Sequence, residues 1–353
     1  MIRWDLFPAD RFDRYRTAWD ALNREGIGSA LLDSRFAALL LRFFGNDTVL
    51  LAIGSRHERV VAMALLAPAL RGTWSTFHPD QAPLGMWLCS PQTDRHAAAG
   101  ALLKRLPGMP LLLGILHQDP DLSPRPQDTF TQRTLDYIRT ARIPIEGRFE
   151  DYWSARGKNL RHNLKRQRNR LERESIAPQL RVSTAASEMA EAVADYGRLE
   201  SAGWKTATGT AVAPDNRQGA FYRSLLEEFA ATGDAFAYRL YYNDRLVACD
   251  LCIRGNGILN WLKTTYDESQ TTSSPAALLR HAAFQRAFAD PATRVIEFYG
   301  PVMDWHTKWA NEIRTLYHTN VYRWPGLADL HRRLRPPQPL PEHGTAETAQ
   351  DTD

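Results

Sequence analysis

Cysteine is scarce in this chain: Cys89, Cys249 and Cys252 are the three among 353 residues. A disulfide framework needs more thiols, in even number, so the expected compartment is the reducing cytoplasm. Long apolar runs are also missing. The greasiest stretches, such as VVAMALLAPAL from Val60, have strand length and are closed by Pro or Gly, well short of the roughly 20 residues of a membrane span. The opening MIRWDLFPAD carries no apolar signal-peptide region. Charge of one sign is not in large excess. Forty-four Lys and Arg face 40 Asp and Glu, a net +4, which is weak for a dedicated DNA-binding domain. There is no P-loop, no G-x-G-x-x-G and no G-x-S-x-G, which argues against P-loop, dinucleotide and nucleophile-elbow chemistry. Cys249-x-x-Cys252 has no partner pair, and in a strand its two thiols point to opposite faces, so no metal is expected.

What is present is an ordinary globular composition, 44% apolar and 24% charged, in a chain long enough for two domains. Phe12, Tyr15, Trp19 and Leu22 recur at helical spacing, and Ser34 opens a second helical run that Gly45 closes. Two strand-like runs surround Gly54-Ser55, which reads as a hairpin turn. GTWSTF follows as a strand, residues 92–106 as a helix, PLLLGIL as a buried strand and RTLDYIRTARIPI as another strand. After residue 150 a similar order returns. A basic helix, the strand QLRVST and two helices lead to a hairpin with Asn243-Asp244 at its turn, then to the strand GILNWLKTTYD. SPAALLRHAAFQRAFAD reads as a helix with Ser274 as N-cap and Pro275 at its first position, and RVIEFYG as a strand ended by Gly300. The Pro-rich polar tail, residues 333–353, is expected to be disordered.

The stretch GKNLRHNLKRQRNRLERE, residues 157–174, concentrates the basic excess. Placed on a helix, Leu160, Leu164 and Leu171 fall within about 40° of one another, and Lys158, Arg161, Lys165 and Arg168 gather beside them in a band of about 80°. Arg166, Arg170 and Arg173 lie on the opposite flank. Three readings stand side by side. The band is a solvated face with helix pairs such as Arg168–Glu172, or a surface for an anionic substrate or carrier, or a nonspecific nucleic-acid contact. The last is the poorest, because one helix supplies few phosphate contacts.

Four places resemble a known family. They are YWSARGKNLRHNLKRQRNRLE, then Gly203-Trp204-Lys205, then TTYDESQTTSSPAALLRHA, and finally EFYGPVMDWHTKWANEI. In order and spacing they are similar to the CelD/BcsL-like acetyltransferase domain of the GNAT superfamily, a branch related to the Fem peptidoglycan aminoacyltransferases. The likeness covers roughly residues 150–325 well and the first half loosely. It implies a mixed α/β (α+β) fold of two tandem GNAT-like domains, each a mostly antiparallel central sheet flanked by helices. Residues 1–150 would form a degenerate domain on the acceptor side, and residues 151–332 the acyl-CoA-binding domain. One departure is plain. Where the family carries Tyr-Lys ahead of its tryptophan, this chain has Trp305-His306, with Lys308 the nearby lysine.

The resemblance also implies an activity: transfer of an acyl group from acetyl-CoA or another acyl-CoA to an amine, by direct attack in a ternary complex. The start of the helix at Pro275 would hold the coenzyme pyrophosphate on its free N–H groups, with Ser273, Ser274, Ala276, Ala277 and Leu278 at the junction and Thr264 and Thr265 on the strand beside it. Its plainer reading is an ordinary capped helix. The reaction needs a base for the amine proton, and Asp250, Glu297, Asp304 and His306 are the candidates, with Tyr266 or Tyr299 as donors to the leaving thiol. Asp250 stands out because it interrupts the apolar VACDLCI, where an unpaired carboxylate is costly and its pKa rises. Its plainer reading is an edge-strand or solvent-side aspartate. The plainer reading of His306 is an exposed helix histidine, and of the tyrosines core or rim packing. Trp204, Lys205, Arg161, Lys165, Arg168 and Lys308 are candidate acceptor contacts. The expected acceptor bears an amine and is anionic or a polysaccharide or cell-envelope precursor. Two alternatives stay open: a Fem-like transferase that uses aminoacyl-tRNA, and a GNAT scaffold that binds without catalysis.

Overall fold

The computed structural model describes residues 2–26, 28–70, 72–202, 212–213 and 215–334. Trp204, Lys205 and the tail from residue 335 lie outside the described residues. The chain divides into two compact units. The first holds residues up to Thr140, a short piece at Gly300–Met303 and the chain from Ile313. The second holds Ala141–Tyr299 and Asp304–Glu312.

In the first unit the strands are β1 (Arg3–Pro8), β2 (Leu50–Arg56), β3 (Arg59–Pro68), β4 (Thr73–Thr76), β5 (Trp87–Cys89), β6 (Leu112–Gln118), the start of β7 (Gln132–Pro144) and most of β13 (Glu312–Tyr322). Its helices are α1 (Arg16–Glu25), α2 (Ser34–Phe44), α3 (Arg95–Arg105) and α10 (Leu327–Leu334). The sheet runs β1-β2-β3-β4-β6-β13-β7, with β5 paired to β3. Trp4, Trp87, Leu102 and Leu113 meet in its core. The hairpin turn falls at His57-Glu58, both at positive φ, and not at Gly54-Ser55. Gly54 serves packing instead: a Cβ there would come within 3.0 Å of the Trp4 ring.

The second unit carries the end of β7 and then α4 (Phe149–Ser154), α5 (Lys158–Arg173), β8 (Pro178–Ser183), α6 (Ala186–Ala202), α7 (Arg217–Ala230), β9 (Ala235–Tyr242), β10 (Arg245–Gly255), β11 (Ile258–Tyr266), α8 (Pro275–Ala289), β12 (Val295–Phe298) and α9 (Asp304–Trp309). Its strands order as β7-β12-β11-β10-β9-β8. The β9–β10 turn sits at Asn243-Asp244 as the sequence predicts, with Asn243 at φ +53. Pairing is antiparallel except between β11 and β12. Those two run parallel for three residues, Ile258–Asn260 beside Val295–Glu297, and then part. From Trp261 onward β11 pairs only with β10, so β11 and β12 part within the sheet.

A bulge lies just beyond the point where β11 and β12 part. Leu251 faces Lys263 but Cys252 faces Trp261, so Leu262 is an extra residue on β11. An unbroken strand would send Trp261 and Thr264 to opposite faces. The bulge brings both to the face of Asp250. Of the predicted leucine stripe, Leu164 and Leu171 anchor the basic helix α5, with Gln167 buried between them, whereas Leu160 near the helix start is only half-buried and lines an open groove. Its ion pair is Arg170–Glu174, in place of the expected Arg168–Glu172, because Arg168 is drawn to His281 on α8. No helix among the described residues is long and apolar enough to cross a membrane.

Candidate active site

Asp250 lies on β10, an interior strand flanked by β9 and β11. Helices pack on both faces of the strand, α6 on the side of Cys249 and α8 on the other. The carboxylate is therefore 2% exposed, not on an edge or toward solvent as its plainer reading holds. Trp261 Nε1 donates to its Oδ2 at 2.9 Å. Burial pushes its pKa up to about 7, against the opposing pull of Arg280 and the Trp261 bond. A carboxylate poised there can take a proton at neutral pH and return it.

Three further groups gather on this face. Arg280 stands on α8, one helical turn after Ala276, and is 8% exposed. Its guanidinium lies over the Trp305 ring, 3.7 Å from the centroid, and its charge acts on Asp250, Tyr266 and His306. Tyr266, at the end of β11, is 38% exposed. His306 stacks on Trp305 at 3.6 Å and packs edge-on to Phe298. Only 5% exposed, it is not the surface histidine of its plainer reading; α9 turns it inward against aromatic rings. Burial, then the charge of Arg280, hold its pKa down to about 3. At neutral pH His306 is an uncharged imidazole and a poor general base, which leaves Asp250 as the better candidate.

Glu297 sits on β12 opposite Asn260 and Arg142, 2% exposed, and accepts the Phe298 backbone N–H at 3.2 Å. Thr264 faces Asp250 across the β10–β11 pair, and its carbonyl accepts the Tyr196 hydroxyl at 3.2 Å. Thr265 pairs with Cys249 and so shares the opposite face. Cys249 and Cys252 are fully buried, and burial raises both thiols well above their usual range, which disfavours a thiolate nucleophile.

The helix junction departs from an ordinary cap. Ser274 adopts the left-handed conformation, φ 54 and ψ 52, and its side chain makes no capping bond. Ser273 is buried, with its hydroxyl accepting from Tyr242 at 3.1 Å and donating to the Gln270 carbonyl at 2.8 Å. The N–H groups of Ala277 and Leu278 both turn back to the Ser274 carbonyl. Pro275 has no N–H, so the first turn offers the Ala276 N–H to an outside acceptor, beside the small side chains of Ala276 and Ala277. The Leu278 side chain is buried in the core.

The basic residues separate into two sets. Arg168 Nη2 donates to His281 Nδ1 at 2.8 Å, and Arg161 Nε donates to the Arg156 carbonyl at 3.0 Å. Lys165 and Lys308 instead line one open groove of about 1590 Å³ along α5, together with Arg156, Arg166, Arg173 and His162. Arg166 and Arg173 come from the flank opposite the predicted band, so the groove's charge is not the stripe that helical spacing singles out. Asp304 starts α9. Among the described residues no group of three His, Cys, Asp or Glu is placed to hold a metal ion. Sequence reasoning missed Arg280 and Trp261. The signal for Arg280 was available: it interrupts PAALL and HAAF, apolar on both sides, as Asp250 interrupts its strand.

Comparison with known proteins agrees with this geometry. Residues 158–307 match the family described as acetyltransferase (GNAT) domain. Among curated proteins none matches the sequence. Among solved structures, FemX superposes with a TM-score of 0.56 at 9% identity, covering 90% of this chain and 98% of its own. The C-terminal domain of a protein from Agrobacterium fabrum designated a lysylphosphatidylglycerol synthetase superposes with a TM-score of 0.55 at 10% identity, covering 92% and 95%. At such identities these two show the shared fold. The parted β11–β12 pair, the bulged strand and the α8 start all fall within residues 158–307, the stretch that matches the acetyltransferase (GNAT) domain.

Proposed function

We propose that the protein is an acyl-CoA-dependent N-acyltransferase that works by direct attack in a ternary complex. The observation that carries this reading is Asp250: a buried carboxylate with a pKa of about 7, on the strand beside β11, which parts from β12. The acyl-CoA thioester, acetyl-CoA in the simplest case, would lie between the parted strands with its pyrophosphate at the start of α8. There the Ala276 N–H and the helix dipole favour an anion. The acceptor amine would lose its proton to Asp250 as it attacks, and Tyr266 would protonate the departing thiolate. The raised thiols of Cys249 and Cys252 argue against an acyl-enzyme. The test is calorimetric titration with acetyl-CoA and a longer acyl-CoA, repeated with Ala276→Asp. That substitution sets a carboxylate where the pyrophosphate would rest, and loss of binding in the variant is the expected result. Absence of binding by the unaltered protein would sink the reading.

One observation favours a second reading, an aminoacyl-tRNA donor. The α5 groove offers Arg156, Lys165, Arg166, Arg173 and Lys308 to a polyanion. A salt-sensitive gel shift with charged tRNA, lost when Lys165 and Lys308 become Glu, would support it over the coenzyme.

A further inference from the structure

Arg280 is a charge without a matching partner. Its guanidinium is buried, its Nε–H has no acceptor, and among the described residues no carboxylate forms an ion pair with it. The face of Trp305 gives it cation–π stabilisation, which does not satisfy its N–H groups. The groups around it do not neutralise it either. Asp250 acts on it without an ion-pair contact and is close to half protonated near pH 7, and His306 is a neutral imidazole. A buried arginine so placed is costly to the fold unless something else supplies the anion. Arginine presents a planar fork of donors suited to carboxylate and phosphate oxygens.

We infer that Arg280 is the binding residue for an oxyanion on the acceptor, so that the substrate is an amine bearing a carboxylate or phosphate close to its nitrogen. This deepens the proposed reaction and rests on it for the word acceptor. The argument for an acceptor over a donor oxyanion is position. Arg280 shares its face with Asp250 and lies a turn beyond the α8 start, and the residue that takes the amine proton must sit beside the acceptor. A zwitterionic amine would then bridge the site, its nitrogen toward Asp250 and its anion on the guanidinium.

The experiment uses the full chain with sodium acetate and inorganic phosphate as probes, against chloride at matched ionic strength, read by thermal shift at pH 6 and pH 8. Variants are Arg280→Met, Arg280→Lys and Asp250→Asn. Acetate or phosphate should stabilise the unaltered protein; for acetate, whose charge is the same at both pH values, the effect should be larger at pH 6 than at pH 8, because ionised Asp250 repels the anion. Arg280→Met should weaken the effect tenfold or more, with Arg280→Lys between. Asp250→Asn should keep the anion effect and lose its pH dependence. Equal stabilisation of Arg280→Met would overturn the inference and place the anion elsewhere. Acyl-CoA titration of Arg280→Met separates the sources: unchanged coenzyme affinity supports an acceptor oxyanion, and a loss matching that for acetate would assign the anion to the donor and overturn it. Because the anion probes need no acyl transfer, the inference and the proposed reaction can fail separately.

Discussion

Replacing Asp250 by Asn separates the cost of this carboxylate from its use. The side chain keeps its volume, and its amide oxygen can still accept from Trp261 Nε1, so no cavity is created; the new amide N–H groups add a desolvation cost that does not vary with pH. What disappears is the ionisation. An aspartate whose pKa rises from 3.8 unfolded to about 7 folded binds its proton more tightly in the native state. Native stability is then unaffected by it below pH 4 and falls as pH climbs from 4 to 7, because the unfolded chain ionises first. At 1.36 kcal/mol per pKa unit the cost reaches about 4 kcal/mol above pH 7, and about 2–3 kcal/mol of it develops between pH 5 and pH 8. Relative to the parent, Asp250→Asn should therefore gain about 2–3 kcal/mol in stability between pH 5 and pH 8. Urea denaturation followed by tryptophan fluorescence at the two pH values measures it, and any other titrating group cancels in the difference. The same variant should lose roughly 10²–10⁴ in acyl transfer, the usual worth of a general base. A stability difference that does not change with pH, or a variant that remains fully active, would refute the argument that a desolvated carboxylate at this site serves as base.

Two other outcomes follow from the same structure. His306 and His281 are buried and neutral, with pKa values held to about 3 and about 4 by burial first and by Arg280 and Arg168 second, against 6.5 for an unperturbed histidine. Each should cost about 2 kcal/mol at pH 5, lost progressively as pH falls below 6.5 toward the folded values, which stability at a series of pH values with His281→Phe as control would detect. Leu171, 1% exposed on the inner face of α5, should cost about 2–4 kcal/mol when cut to Ala, with a lower urea midpoint and unchanged slope.

Local chemistry was legible where one residue decides the backbone. Asn243 takes positive φ at a hairpin turn, and Leu164 and Leu171 mark the buried face of α5 at helical period. Gly54 misled because glycine has two uses, and the tight fit to Trp4 is a tertiary fact that no turn rule contains. Ser274 reads as an N-cap from its type and its place before Pro275. Only the fold reveals the left-handed backbone that turns its side chain away from that duty. Such a conformation costs energy in a residue other than glycine, and such costs concentrate at sites where the surrounding structure enforces them.

The electrostatics of the site were legible only in half, and the half that was missed changes the chemistry. Asp250 is conspicuous within VACDLCI because strands of that composition are buried. Arg280 passes as one more cation on a helix, since helical arginines are usually solvated. With Asp250 alone, burial would drive the carboxylate toward permanent protonation and the site would have an acid where it needs a base. With Arg280 and the Trp261 N–H pulling the other way, the carboxyl settles near 7. Burial first, and the same guanidinium second, keep His306 unprotonated, which sets it apart from Asp250 as a proton acceptor. The bulge at Leu262 is what lets Trp261 and Thr264 share the face of Asp250, next to the point where β11 parts from β12. Retaining the charge of Arg280 against the cost of burying it is accounted for when an anion and a transferable proton meet on this face.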